Sequence, residues 1–116
     1  MRLAVIIPIY NEEATLEKLC AAVSNRPPPV DPATGQPLDR IVILIDDGST
    51  DGSARVIASL AKQDDVYSVT HPRNMGKGAG VASGLAEARR LDVDIAIIQD
   101  ADLEYDPADH HVVLGP

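Results

Sequence analysis

The chain has 116 residues, 45% hydrophobic and 24% charged, a composition that speaks for one folded domain and against disorder. Its net charge of -8 argues against a nucleic-acid backbone as partner, since that binding needs clustered Lys and Arg, and suits a protein that recruits a cation. The lone Cys20 leaves no disulfide framework and fits a reducing, cytoplasmic setting, and no apolar stretch approaches the roughly 20 residues of a membrane span.

The first element, "LAVIIPI" (3–9), is continuous, apolar and β-branched, as a strand buried on both faces would be. The opening is too short, and too soon followed by acids, for a secretory signal. In "NEEATLEKLCAAVSN", Leu16, Leu19, Cys20 and Val23 form the stripe of an amphipathic helix, with Asn11 as its cap and Glu12 and Glu13 suited to its positive end. Residues 26–39 carry five prolines and are read as an exposed loop. "RIVILI" (40–45) is a second buried strand, followed by the turn "DDGSTDGS" and a helix with Val56, Ile57 and Leu60 inward. "VYSVT" (66–70) is more polar, as an edge strand is. "HPRNMGKGAG" leads into a small-residue helix with Val81, Leu85 and Ala88 inward, and "VDIAII" (93–98) is a fourth strand. Asp106 and Pro107 suit the start of a further short helix before the closing "HHVVLGP".

This β-α alternation implies an α/β fold: a parallel sheet of about four strands with right-handed crossovers and helices on both faces. Ligands of such sheets bind beyond the carboxyl ends of the strands. "YNEE", "DDGSTDGS" and "QDADLEYD" each follow a strand and would converge there.

Asp47, at a strand's carboxyl end, can accept from a base N–H, whereas Ser49, Thr50 and Asp51 are read as turn and cap chemistry. Asp100 and Asp102, two residues apart on a turn, can share one hard divalent cation, Mg²⁺ or Mn²⁺, with substrate phosphates. Without a cation, Asp100, Asp102, Glu104 and Asp106 would repel one another. "NMGKGAG" is not a P-loop, because no Ser or Thr follows Lys77. Gly78 and Gly80 nevertheless allow close backbone approach at a helix N-terminus. Arg73 and Lys77 suit either a neighbouring diphosphate or a solvated loop. His71, His110 and His111 are read as non-catalytic.

The ordered set "VIIPIYNEE", "IDDGSTDGS", "NMGKGAG" and "QDADLEYDP" resembles family 2 glycosyltransferases of the GT-A fold, nearest the polyprenyl-phosphate sugar transferases. That resemblance implies a Rossmann-like sheet in the order 3-2-1-4 and an inverting transfer from a nucleotide diphosphate sugar, with a polyprenyl (dolichyl or undecaprenyl) phosphate as acceptor. It further implies that Pro8, Tyr10, Glu12 and Asp47 line the base pocket. Asp100 and Asp102 would hold the metal as a D-x-D pair, Glu104 would be a third ligand, and Arg73 and Lys77 would approach the nucleotide. Family members run longer, so residues 1–116 are expected to be a truncated nucleotide-binding half, whose parent would work at the cytoplasmic face of a membrane. The alternative is a nucleotide-sugar-binding fragment without turnover. A nucleotidyltransferase is disfavoured, since "IPIYNEE" lacks the glycines of a phosphate loop. With no strand expected beyond 93–98, that strand's open edge predicts self-association.

Overall fold

Uninterrupted Val, Ile and Leu runs need cover on both faces, and the structure, a computed structural model, supplies it. Residues 2–25, 30, 32–37, 39–99 and 111–114 are described. In chain order they form β1 (Arg2–Ile9), α1 (Glu13–Asn25), β2 (Asp39–Asp46), α2 (Ser53–Leu60), β3 (Val66–Thr70), α3 (Lys77–Arg90), β4 (Ile95–Ile98) and β5 (His111–Leu114). One sheet joins the strands in the order β3-β2-β1-β4-β5. The first four are parallel, with Ile6 opposite both Ile43 and Ile98. This is the expected 3-2-1-4 order, with the polar β3 at an edge.

Alternate residues of each strand point to opposite faces. Val5, Ile7, Ile9, Val42 and Leu44 pack with Leu16 of α1 and Ile57 of α2, with Val56 and Leu60 alongside. Ala4, Ile6, Ile43, Ile45, Ala96 and Ile98 pack with Ala88 of α3, with Val81 and Leu85 alongside. The inward placement expected of Leu19, Cys20 and Val23 falls outside the described side chains.

One glycine sets the spacing of α3. A Cβ on Gly84 would lie 2.3 Å from Ile6 Cγ2, and one on Gly80 would lie 3.4 Å from Pro8 Cβ. Gly84 is therefore the close helix-to-strand approach, whereas a side chain at Gly80 would make only ordinary contact. A Cβ on Gly78 would meet no other part of the fold within 4 Å.

The main departure is β5. It pairs antiparallel with β4, with Ile95 opposite Leu114 and Ile98 opposite His111. The N–H and C=O groups of β4 thus find partners inside the chain. The expected open edge of strand 93–98 is corrected by this pairing, which removes the ground on which self-association was inferred. The helix expected at Asp106 and Pro107 lies outside the described residues. Within 26–39, residues 30 and 32–37 are exposed, Val30 and Pro37 form an isolated antiparallel bridge, and Asp39 already belongs to β2. Among the described residues, no helix is long and apolar enough to cross a membrane.

Candidate functional site at the carboxyl ends of the strands

Parallel pairing brings the ends of β1, β2, β3 and β4 to one edge of the sheet. The segments that follow them, at Tyr10–Glu12, Asp47–Gly52, His71–Gly76 and Gln99, therefore meet there. The Gln99 amide donates to the Ile6 carbonyl at 2.9 Å, so the chain leaves β4 alongside β1, one residue before Asp100. The expected metal ligands Asp100, Asp102 and Glu104 lie outside the described residues. Among the described residues, no cluster of three or more His, Cys, Asp or Glu side chains could hold a metal.

The first two segments are knitted together. Asn11 adopts φ +52°, a region in which Asn is among the more tolerant residues. Its amide donates to Ser49 Oγ at 3.0 Å, and its Oδ1 accepts from the Thr50 amide at 2.7 Å. The Glu12 amide donates to Ser53 Oγ at 3.0 Å. Asp51 serves both helices: Oδ1 accepts from the Ser53 amide at 2.8 Å and Oδ2 from the Glu13 amide at 3.3 Å. The Ser53 hydroxyl, together with the Ser53 and Glu13 amides, holds its carboxyl below the usual range against a weaker effect of desolvation. Asn11 is therefore a cross-loop clamp, which corrects the reading of it as the cap of α1: the residue before that helix is Glu12, and the first turn of α1 is capped from the neighbouring loop. Turn and cap chemistry for Ser49, Thr50 and Asp51 agrees with these bonds.

Asp47 is buried and heavily engaged. Oδ1 meets His71 Nδ1 at 2.8 Å and accepts from the Met75 amide at 2.8 Å, while Oδ2 accepts from the Gly76 amide at 2.9 Å. Burial opposes the charged form. The His71 hydrogen bond and the two amides outweigh it and hold the carboxyl below its ordinary range. An ionised carboxylate has about four acceptor sites, so one site on Oδ2 remains. Gly48 brings the third segment onto this turn: at φ +71°, its Cβ would fall 2.3 Å from the Arg73 carbonyl carbon.

Around this frame, Tyr10 is 44% exposed, Pro8 and Glu12 are half-buried, and Arg73 and Lys77 are exposed. Glu12 Oε2 accepts from Thr15 Oγ1 at 3.1 Å. Pro8, Tyr10, Glu12, Asp47, Arg73 and Lys77 thus belong to segments that share one edge, as the strand order requires. No local pattern points to His71. It is buried, and it contacts Asp47, 24 residues away, and Ser83, 12 residues away.

The model of the family described as "Glycosyl transferase family 2" matches residues 4–115. The chain belongs to glycosyl transferase family 2. This family 2 chain is 35% identical over 108 residues to an undecaprenyl-phosphate 4-deoxy-4-formamido-L-arabinose transferase of Pseudomonas paraeruginosa, covering 90% of the chain and 29% of the relative. A protein of the same name from Aeromonas hydrophila is 37% identical over 107 residues, covering 90% and 30%. The chain therefore spans under a third of the length of these curated relatives. Among solved structures, it resembles the mannosyltransferase PcManGT from Pyrobaculum calidifontis in complex with GDP-Man and Mn²⁺, at TM-score 0.65 and 28% identity, covering 87% of this chain and 27% of that one. It also resembles glucosyl-3-phosphoglycerate synthase from Mycobacterium tuberculosis in complex with Mn²⁺, UDP and phosphoglyceric acid, at TM-score 0.58 and 28% identity, covering 87% and 33%.

Proposed function

We propose that this chain is the nucleotide-sugar-binding half of a metal-dependent, inverting glycosyltransferase whose acceptor is a polyprenyl phosphate. The observation that carries this is the meeting of the segments after β1, β2, β3 and β4 at one sheet edge, in a family 2 chain. The relatives named for undecaprenyl-phosphate transfer, and the Mn²⁺ complexes of the structural neighbours, support the acceptor and the cation.

In this reading Tyr10 offers an aromatic face to the base, with Pro8 and Glu12 beside it. Asp47 keeps its remaining Oδ2 site for a base N–H. Arg73 and Lys77 approach the diphosphate. Asp100 and Asp102, with Glu104, hold Mg²⁺ or Mn²⁺. Their carboxylates are the hard oxygen donors these cations take, and β4 delivers the chain beside β1 one residue before the first of them. When bound, the cation neutralises charge on the departing diphosphate. The acceptor phosphate oxygen forms the new bond to the sugar's anomeric carbon as the bond to the diphosphate breaks on the opposite face. An anionic acceptor needs little help from a base. A lipid-linked acceptor also sets the reaction at a membrane surface.

A second reading has its own support. The chain covers 29% of the relative from Pseudomonas paraeruginosa, and in this reading it holds a nucleotide sugar without turning it over. Titration calorimetry against UDP-, GDP- and dTDP-sugars, with Mn²⁺ or with EDTA, tests the shared claim. Selective binding that needs Mn²⁺ is expected. Equal binding with EDTA, or none, would overturn it.

A further inference from the structure

We infer that His71 is a positioning residue of the nucleotide site, latching Asp47 and the Met75–Gly76 backbone so that the segment carrying Arg73 and Lys77 is held at the ends of β1 and β2. The inference rests on the reading just given. It starts from three groups in a row: Asp47, His71 and Ser83, joined at 2.8 Å and 2.7 Å. They lie on three separate elements: the turn after β2, the residue after β3, and α3.

The proton arrangement follows from chemistry. An ionised carboxylate only accepts, so His71 Nδ1 must carry the proton it shares with Asp47. In the neutral ring Nε2 then accepts from the Ser83 hydroxyl, which fixes the tautomer and the ring plane. His71 is fixed at its backbone too, since its amide donates to the Asp46 carbonyl at 2.8 Å. The ring is thus pinned at both nitrogens and at its own main chain.

What the latch holds is a segment with exposed side chains. Arg73, Asn74 and Met75 are exposed, yet the Met75 and Gly76 amides point back to the buried Asp47. Gly48 allows the Arg73 main chain to lie directly on the turn after β2. Apolar clusters fasten the sheet faces to their helices, whereas the bonds that hold this segment to Asp47 are polar and directional. Such bonds fix the direction of a backbone, which a site for a charged ligand requires.

The geometry makes a specific demand on replacements. Asn can present an N–H where Nδ1 stands, whereas Gln mimics the farther nitrogen. His71→Asn should therefore keep much of the latch, and His71→Gln and His71→Ala should lose it. Two measurements are needed. Amide exchange by NMR, without ligand, should show Met75 and Gly76 exchanging about tenfold faster or more in His71→Ala and His71→Gln, with His71→Asn near wild type. Calorimetry with UDP and GDP in Mn²⁺ should show affinity falling about tenfold in the same two variants and recovering in His71→Asn. Where His71→Ala fails to fold, Ser83→Ala removes only the outer bond and should give a smaller change of the same sign. Unchanged exchange in His71→Ala would overturn the latch. Faster exchange with unchanged affinity would overturn the positioning role. A wild type that binds neither nucleotide would overturn the nucleotide-site reading itself, with the exchange result still deciding the latch.

Discussion

Replacing Gly84 with alanine tests how closely α3 sits on the sheet that carries the site. The added methyl would lie 2.3 Å from Ile6 Cγ2, 3.3 Å from its Cδ1 and 3.4 Å from its Cβ. Ile6 cannot yield easily. It is fully buried, its Cγ2 branches directly from Cβ, and its strand is paired on both sides. Inserting a methyl into such a core costs about 1–3 kcal/mol, and the severity of this contact puts it near the top of that range. Alanine returns about 1 kcal/mol through helix propensity. The net expectation is a loss of about 2 kcal/mol. For a domain of this size that lowers Tm by about 8 °C, taking roughly 4 °C per kcal/mol. Gly78→Ala is the control, since nothing lies within 4 Å of its Cβ position. It should leave Tm unchanged or raise it slightly. Differential scanning calorimetry on the two variants gives the answer. A Gly84→Ala protein as stable as wild type would refute the close seating of α3 on β1.

Gly48→Ala combines a φ of +71° with a contact on the Arg73 backbone, so it should destabilise by about 2 kcal/mol or more and weaken nucleotide binding; a silent substitution in both assays would count against the packed turn. Asp47 has a folded pKa below its ordinary 3.8, so its stabilising contribution is complete well above that value and is lost as pH falls through the folded one. The Tm gap between wild type and Asp47→Asn should hold from neutral pH to about pH 5 and close in stronger acid; a gap that widened in acid would contradict the assignment. Asp102→Ala should abolish the Mn²⁺ dependence of nucleotide affinity while leaving Tm within about 1 °C of wild type, and retained metal dependence would remove Asp102 from the metal site.

Much of the fold could be read from local pattern. Three apolar β-branched runs and the more polar "VYSVT", separated by helical stripes, left one economical arrangement, with "VYSVT" announcing an edge. The inward residues of α2 and α3 followed from the 3.6 period. What escaped was non-local. β5 is four residues long, and its partner is fixed by a return of the chain that no nearby pattern signals. His71 looked like an isolated loop histidine because its partners lie 24 and 12 residues away. Asn11 looked like a helix cap, and its cross-loop bonds to Ser49 and Thr50 depend on the register of β1 against β2. Gly84 drew no notice in the sequence, and its reason is non-local too: the distance from α3 to Ile6 of β1.

The central claim is that nucleotide and cation meet at the carboxyl ends of the strands. Paramagnetic broadening of backbone NMR signals by Mn²⁺, with and without a nucleoside diphosphate, measures this directly. The Tyr10, Gly48, Gly76 and Gln99 signals should be lost in a nucleotide-dependent way, while Arg2, Arg40 and Asp94 at the opposite ends of β1, β2 and β4 remain sharp. Broadening centred instead on surface acids such as Asp64 and Asp65, or unaffected by nucleotide, would contradict it.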